Sequence, residues 1–301
     1  MKRVWVVEYL SGGGALHGDG PHGDALLAMG VSMRDAMVAD LLQVPGCQVS
    51  AATCARAPVL QRGAVAVQAE AGESPAAFVA RKAATHDAVW LVAPETGGLL
   101  AQLHGAVPAE RWLGCDAASI ALASSKRATT ECLTAHGVPT PLAFAGDAAT
   151  RRWVTKPDDG AGAADTQVHA DLSAARDHAG VSLLIEPWVE GAAMSLSLLC
   201  KPGYFELLCV NRQQIAIDAQ GRVSFEGVAV DREASASGAF ERVARDVVQA
   251  IPGLRGFVGI DLVMHEPRGP VVIEVNPRVT CAYVGLSAAL GRNLAAELID
   301  A

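Results

Sequence analysis

The stretch Gly256-Phe257-Val258-Gly259-Ile260-Asp261-Leu262-Val263-Met264, then His-Glu-Pro-Arg-Gly-Pro (265–270), then Val271-Val272-Ile273-Glu274-Val275-Asn276-Pro277-Arg278, decides how this chain is read. Two apolar runs joined by a short Pro/Gly turn predict an antiparallel hairpin. Side chains alternate across a strand, so Glu274 and Asn276, two apart, point to one face, and Asp261 on the neighbouring strand reaches that face too. Oxygen donors embedded in apolar strands are costly to bury without a cation. Hard oxygen ligands on a rigid sheet suit Mg2+, which keeps waters and completes its shell from substrate phosphates. Alternation alone would also let both acids face solvent. It does not account for Asn-Pro-Arg directly behind a strand glutamate.

Upstream lies Val154-Thr-Lys156-Pro157-Asp-Asp-Gly160-Ala-Gly162-Ala-Ala-Asp165. A strand delivers Lys156 to a glycine loop whose backbone N–H groups can approach phosphate oxygens, with the lysine adding a point charge. No Gly-Lys-Ser/Thr closes the loop, so it is not a Walker A motif, and the glycine spacing is not that of a dinucleotide fingerprint. An ordinary exposed turn is the plainer reading of these glycines alone. Next, Leu184-Ile-Glu186-Pro187-Trp188-Val189-Glu190-Gly191 reads as a strand leaving through proline into a linker whose backbone can read an adenine edge. Lys126, at the head of a helix that Ser124 or Ser125 caps and Gly137 ends, is a second candidate phosphate contact.

Around these motifs, strands are expected at 153–156, 181–185, 195–201, 204–210 and 223–230, the last three antiparallel. Helices are expected near 172–178 and 240–250. The first third alternates strand and helix patterns: Val4–Val7, a helical stripe Met33, Met37 and Leu41 closed by Pro45-Gly46, then 49–53 and 88–93. That alternation predicts a parallel α/β sheet with ligand loops at its strand ends. Gly12–Gly14 with Glu95 and Thr96 are the expected wall of an acceptor site, and His17 and His22 are placed near substrate. The other histidines, which lack metal-ligand spacing, are expected at the surface.

Composition narrows the class. With 301 residues, two domains are expected, 1–114 and 115–301. A net charge of −8 without basic runs leaves no nucleic-acid footprint, and no apolar window reaches membrane-spanning length. Glu8 interrupts the opening MKRVWVVEYL, which reads as a strand and not a secretory leader. Seven scattered cysteines without a CxxC pair read as reduced thiols of a cytoplasmic protein.

A helix-start lysine, a lysine before a glycine loop, a Glu-x-x-x-x-Gly linker, then Asp with Glu-x-Asn-Pro-Arg, in this order, resemble the ATP-grasp superfamily over roughly residues 115–291. The resemblance implies a parallel α/β pre-ATP-grasp domain followed by an ATP-grasp fold, with a small lid sub-domain near 125–187 and a larger antiparallel-sheet sub-domain. By position, Lys126 and Lys156 look like the phosphate lysines, Gly160 to Gly162 the lid loop, and Glu186, Pro187, Trp188 and Val189 the adenine hinge. Val154 and Ile273 would wall the adenine. Asp261, Glu274 and Asn276 look like the Mg2+ ligands, and Arg278, catalytic with Lys156, looks like a contact to acyl phosphate or substrate. Where many members carry a ribose-binding glutamate this chain has Ala193, and Glu190 is the candidate in its place.

The further motifs E-Y-L-S-G-G-G (8–14), A-P-E-T-G-G-L-L-A (93–101), G-A-A-M-S-L-S-L-L (191–199) and V-N-R-Q-Q-I (210–215) resemble the tyramine–glutamate ligase group. That group is linked to methanofuran and tetrahydromethanopterin one-carbon metabolism. The resemblance implies an ADP-forming carboxylate–amine ligase using ATP and Mg2+, with Mn2+ as a substitute. It implies small-molecule acid and amine substrates, no nucleic-acid or membrane partner, and a homodimer. Dipeptide, D-alanine-type or carboxyphosphate-using ligases and a non-catalytic nucleotide-binding module are the alternatives. A nicotinamide oxidoreductase is disfavoured because no GxGxxG follows the first strand.

Overall fold

The computed structural model describes residues 1–14, 21–160, 162–230 and 238–299. It divides into two compact units, one of residues 1–94, 99–117 and 278–301, the other of 95–98 and 118–277.

The first unit is built on β1 (Lys2–Glu8), α1 (Pro21–Leu42), β2 (Cys47–Ala52), β3 (Val65–Val67), α2 (Pro75–Ala83), β4 (Ala88–Val92) and α3 (Leu99–Gly105). Its sheet runs β3-β2-β1-β4 with every pairing parallel. Parallel strands are covered on both faces, so they read as continuous apolar runs. Accordingly Val4 to Val7 and all of β4 are buried, and Met33, Met37 and Leu41 sink from α1 into the same core. The β3 edge strand and α2 carry too little periodicity to be called from sequence. Ser74 nevertheless caps α2, its Oγ accepting from the Ala77 N–H at 3.3 Å. Residues 278–301 return to this unit. Asp40 on α1 accepts from the hydroxyls of Tyr283 and Ser287, and its carbonyl accepts from Asn293 Nδ2 at 2.7 Å.

The second unit opens with α4 (Ala117–Ala123) and α5 (Lys126–Ala135). A three-stranded antiparallel sheet follows, β5 (Trp153–Lys156), β6 (Gln167–His169), α6 (Leu172–Ala179) and β7 (Leu184–Pro187), ordered β6-β5-β7. The predicted start of β7 at Val181 is corrected. Val181 is fully exposed and Ser182 N donates to Ala179 O at 3.4 Å, so these residues close the turn after α6 and pairing begins at Leu184. The larger sheet holds β8 (Ala192–Lys201), β9 (Tyr204–Ile217), β10 (Val223–Val230), β11 (Gly256–His265) and β12 (Gly269–Asn276), ordered β10-β9-β8-β11-β12 and antiparallel throughout. Between β10 and β11, α7 (Gly238–Ala250) buries Phe240, Val243, Ala244, Val247 and Ala250, a helical stripe packed on β8, β9 and β12. On β8, Met194, Leu196 and Leu198 take one face and Ser195 and Ser197 the other, which makes one side of the sheet polar.

The expectation of surface histidines fails for two. His86 stacks on Trp5 with ring centroids 6.0 Å apart, and His169 is buried with Nε2 2.9 Å from Thr155 Oγ1. His86 Nδ1 also lies 2.8 Å from the Lys82 carbonyl and 3.2 Å from Thr85 Oγ1, and metal-ligand spacing does not reveal such partners. His17 and the side chain of His22 lie outside the described residues. All seven cysteines are free thiols. No helix among the described residues is long and apolar enough to cross a membrane.

Candidate nucleotide and metal site

The 256–276 hairpin places Asp261 directly across from Glu274 and Gly259 across from Asn276. Beyond this pair the register slips, with Leu262 facing Val272, so Ile273 is an extra residue on β12. Such a bulge re-aims side chains locally. Asp261, Glu274 and Asn276 consequently share the polar face. Asn276 Nδ2 donates to Asp261 Oδ2 at 3.1 Å, and Gln213 Nε2, from β9, donates to Asp261 Oδ1 at 2.9 Å. Because Asn276 gives its amide nitrogen to Asp261, its Oδ1 is the atom with lone pairs for a cation. Two carboxylates and an amide oxygen form an all-oxygen, incomplete donor set, which fits Mg2+ with the rest of its shell from water and phosphate. Among the described residues no cluster of three or more His, Cys, Asp or Glu side chains offers a self-sufficient metal cage.

Lys126 links three elements. Its Nζ lies 3.3 Å from Glu274 Oε1 and donates to the Gly160 carbonyl at 3.0 Å, which brings the head of α5, the glycine loop and the acidic hairpin together. The loop is fastened by two aspartates, Asp158 and Asp159, that residue type alone does not single out. Asp158 accepts from Lys126 N at 2.8 Å with its carbonyl, from Arg127 N at 2.9 Å with Oδ1 and from Ser125 Oγ at 2.9 Å with Oδ2. These bonds satisfy donors that the first turn of a helix leaves open. Asp159 Oδ2 accepts from Gly97 N at 2.6 Å. Gly160 and Gly162 take φ of 99° and 74°, values that side chains resist.

Lys156 Nζ sits 2.6 Å from Glu186 Oε2, with side chains 6% and 7% exposed. The Glu186 carboxylate is therefore committed to the lysine, and residues 186–189 offer a ligand backbone groups and apolar surface. Pro187 and Val189 are buried. Val189 clusters with Phe144 and Val271, with Ile273 and Val263 packed against them, while Val154 is buried on β5. Trp188 lies under the Arg152 guanidinium, 5.6 Å from its ring centroid, and the same arginine pairs with Glu190 at 2.6 Å. Both members of that pair are exposed. Gly191 has φ 147°, and a Cβ there would stand 2.2 Å from the Met264 carbonyl oxygen. Glu95 is buried in the second unit, whereas Gly12–Gly14 belong to the first. Arg278 also falls in the first unit, with Nη1 donating to Val279 O at 3.2 Å.

The sequence alone pointed to neither Gln213 nor the Lys156–Glu186 pair. Alternation on the antiparallel partners β5 and β7 was the available signal for the pair. Gln213 sits in the V-N-R-Q-Q-I motif, but only the bond to Asp261 gives it a role.

Two family models match the chain: a pre ATP-grasp 3 domain over residues 47–120 and an ATP-grasp domain over residues 123–282, the latter alone more than half the chain. The chain is 29% identical over 174 residues to tyramine–L-glutamate ligase of Methanocaldococcus fervens, covering 58% of this chain and 52% of that protein. It is 28% identical over 202 residues to the protein of the same name from Methanocaldococcus jannaschii, covering 66% and 58%. It thus spans little more than half the length of the curated relatives it matches. A crystal structure of an ATP-grasp superfamily protein from Archaeoglobus fulgidus superposes with TM-score 0.73 at 20% identity, over 100% of this chain and 88% of that one. With a parallel-sheet unit and an antiparallel-sheet unit, and with the ATP-grasp model matching most of the second, the chain belongs to the ATP-grasp family.

Proposed function

We propose that this protein is an ATP-dependent, ADP-forming carboxylate–amine ligase, with L-glutamate and tyramine the first substrate pair to test. The observation that carries the reading is Lys126, whose ammonium meets Glu274 of the hairpin and the Gly160 carbonyl of the glycine loop at once. The tyramine–L-glutamate ligase name of two relatives supports the substrate pair.

A carboxylate is a poor electrophile toward amines. In the proposed reaction its oxygen attacks the γ-phosphorus of ATP, ADP departs, and the amine nitrogen then displaces inorganic phosphate from the acyl phosphate. Asp261, Glu274 and Asn276 would hold Mg2+, which would supply positive charge to offset the negative charge of the ATP phosphates. Lys126 and Lys156 add fixed positive charge along the phosphates. Backbone groups of 186–189 read the adenine, with Val154, Val189 and Ile273 as apolar walls, and Glu190 faces the ribose. Gly160 and Gly162 let the loop backbone approach the phosphates and keep water from the acyl phosphate.

The test is incubation with ATP, Mg2+, L-glutamate and tyramine, with nucleotide products and amide measured together. Equimolar ADP and glutamyl-tyramine amide is the expected outcome. AMP with pyrophosphate would exclude the acyl-phosphate route, and ADP with amide only from other acid–amine pairs would replace the substrates while keeping the chemistry.

A further inference from the structure

Gln213 is on β9, and β8 lies between β9 and the Asp261 strand β11. Adjacent strands stand about 4.8 Å apart, so a β9 side chain must cross the whole width of β8 to touch β11. The amide of Gln213 does so, donating to Asp261 Oδ1 at 2.9 Å. The crossing is open because β8 presents only small side chains on that face, Ala193 and Ser195, the latter paired with Asp261. Next to Gln213 the polar face is tied down. Asn211, 1% exposed, donates through Nδ2 to Ser195 Oγ at 3.3 Å and to Ser197 Oγ at 3.2 Å. Asp261 therefore receives one amide N–H on each oxygen, from Gln213 on one side and Asn276 on the other. Two such bonds, one on each oxygen, fix the rotation of the carboxylate. Additional lone pairs on the same oxygens suit a cation.

We propose that Gln213 is a positioning residue for the cation-binding carboxylate of Asp261, and that the small residues at 193 and 195 are what let it reach. The inference rests on the reading of Asp261, Glu274 and Asn276 as the cation ligands. Groups that orient metal ligands from outside the first coordination sphere typically change metal affinity 10–100-fold when removed. Gln213 needs a donor, a matching length and a clear path. Methionine supplies the length and the path but no N–H.

The test titrates Mn2+ into wild-type protein and Gln213→Met in the presence of a non-hydrolysable ATP analogue, with free Mn2+ read by electron paramagnetic resonance. Wild type binds Mn2+, and Gln213→Met weakens it by about tenfold or more, with an unchanged far-UV spectrum. Raising Mg2+ then restores ADP release in the variant, which a defect in packing would not permit. A second variant, Ala193→Leu, blocks the path without touching Gln213 and shows the same weakening. Equal Mn2+ affinity in wild type and Gln213→Met overturns the assignment of Gln213 alone. Wild type that binds no Mn2+ with the analogue present overturns the cation reading beneath it.

Discussion

Lys156 and Glu186 form a 2.6 Å ion pair between neighbouring strands of the three-stranded sheet, each side chain more than nine-tenths buried. Buried pairs are asymmetric in energy. The intact pair adds little net stability, but removing one partner strands the other charge and costs roughly 3–5 kcal/mol. Glu186→Gln is therefore expected to lower unfolding free energy by about that amount while keeping side-chain volume. Replacing both at once, Lys156→Met with Glu186→Leu, should recover most of the loss but not ADP release. Urea unfolding of the three variants checks this, and a Glu186→Gln midpoint equal to that of wild type would show that the pair is not coupled.

The acidic hairpin gives a separate expectation, because its side chains are half-buried on a sheet face and not in the core. Asp261→Asn and Glu274→Gln should leave the urea midpoint within about 1 kcal/mol of wild type, as most changes away from cores do. Both should nevertheless abolish ADP release. Glu274→Gln also removes the partner of Lys126 at 3.3 Å. Retained turnover in either variant would remove the residue from the cation set.

Gly191 and Gly269 separate two costs that sequence alone merges. Both have positive φ, 147° and 75°, but a Cβ at 191 meets the Met264 carbonyl at 2.2 Å whereas at 269 nothing lies within 4 Å. Gly269→Ala should lose about 1–2 kcal/mol from conformation alone. Gly191→Ala must also displace backbone between β7 and β8, so its loss should exceed that of Gly269→Ala clearly. Comparable midpoints for the two would mean that the hinge backbone moves freely.

How much of this was legible follows from which forces act locally. The 256–276 hairpin, the shared face of Glu274 and Asn276, and an α5 cap at Ser124 or Ser125, of which Ser125 is the one used, are set by alternation and turn chemistry within a few residues, and those rules read directly from sequence. The β3 edge, with three residues, and the start of β7 depend on partners far along the chain, so Val181, β-branched and apolar, looked like strand and is turn. The site divides the same way. Lys126, Lys156, Asp261 and Glu274 announce themselves by residue type, but that Glu186 pairs with Lys156 and Gln213 with Asp261 is fixed by cross-strand register. That register is long-range information.

The buried imidazole of His169 makes stability depend on pH with a definite sign. Burial first, and the neighbouring His178 second, hold its pKa below the ordinary value of 6.5. In the unfolded chain this histidine takes up a proton as pH falls through about 6.5, while in the folded protein it stays neutral to lower pH. The unfolded state then binds more protons, so stability declines as pH drops below that point. Thr155 Oγ1 lies 2.9 Å from His169 Nε2 and 3.0 Å from His178 Nδ1, and the two rings are 4.9 Å apart, so a charged His169 would meet its neighbour with no acid in these contacts. His86 and His104 are depressed by burial in the same direction, so the whole-protein slope is shared and the difference between variants carries the information. His169→Gln keeps a polar group near Thr155 and removes the titration. Its melting temperature should fall less steeply than that of wild type between pH 7 and pH 5. Parallel slopes for the two proteins would show that His169 titrates alike folded and unfolded, contrary to its burial.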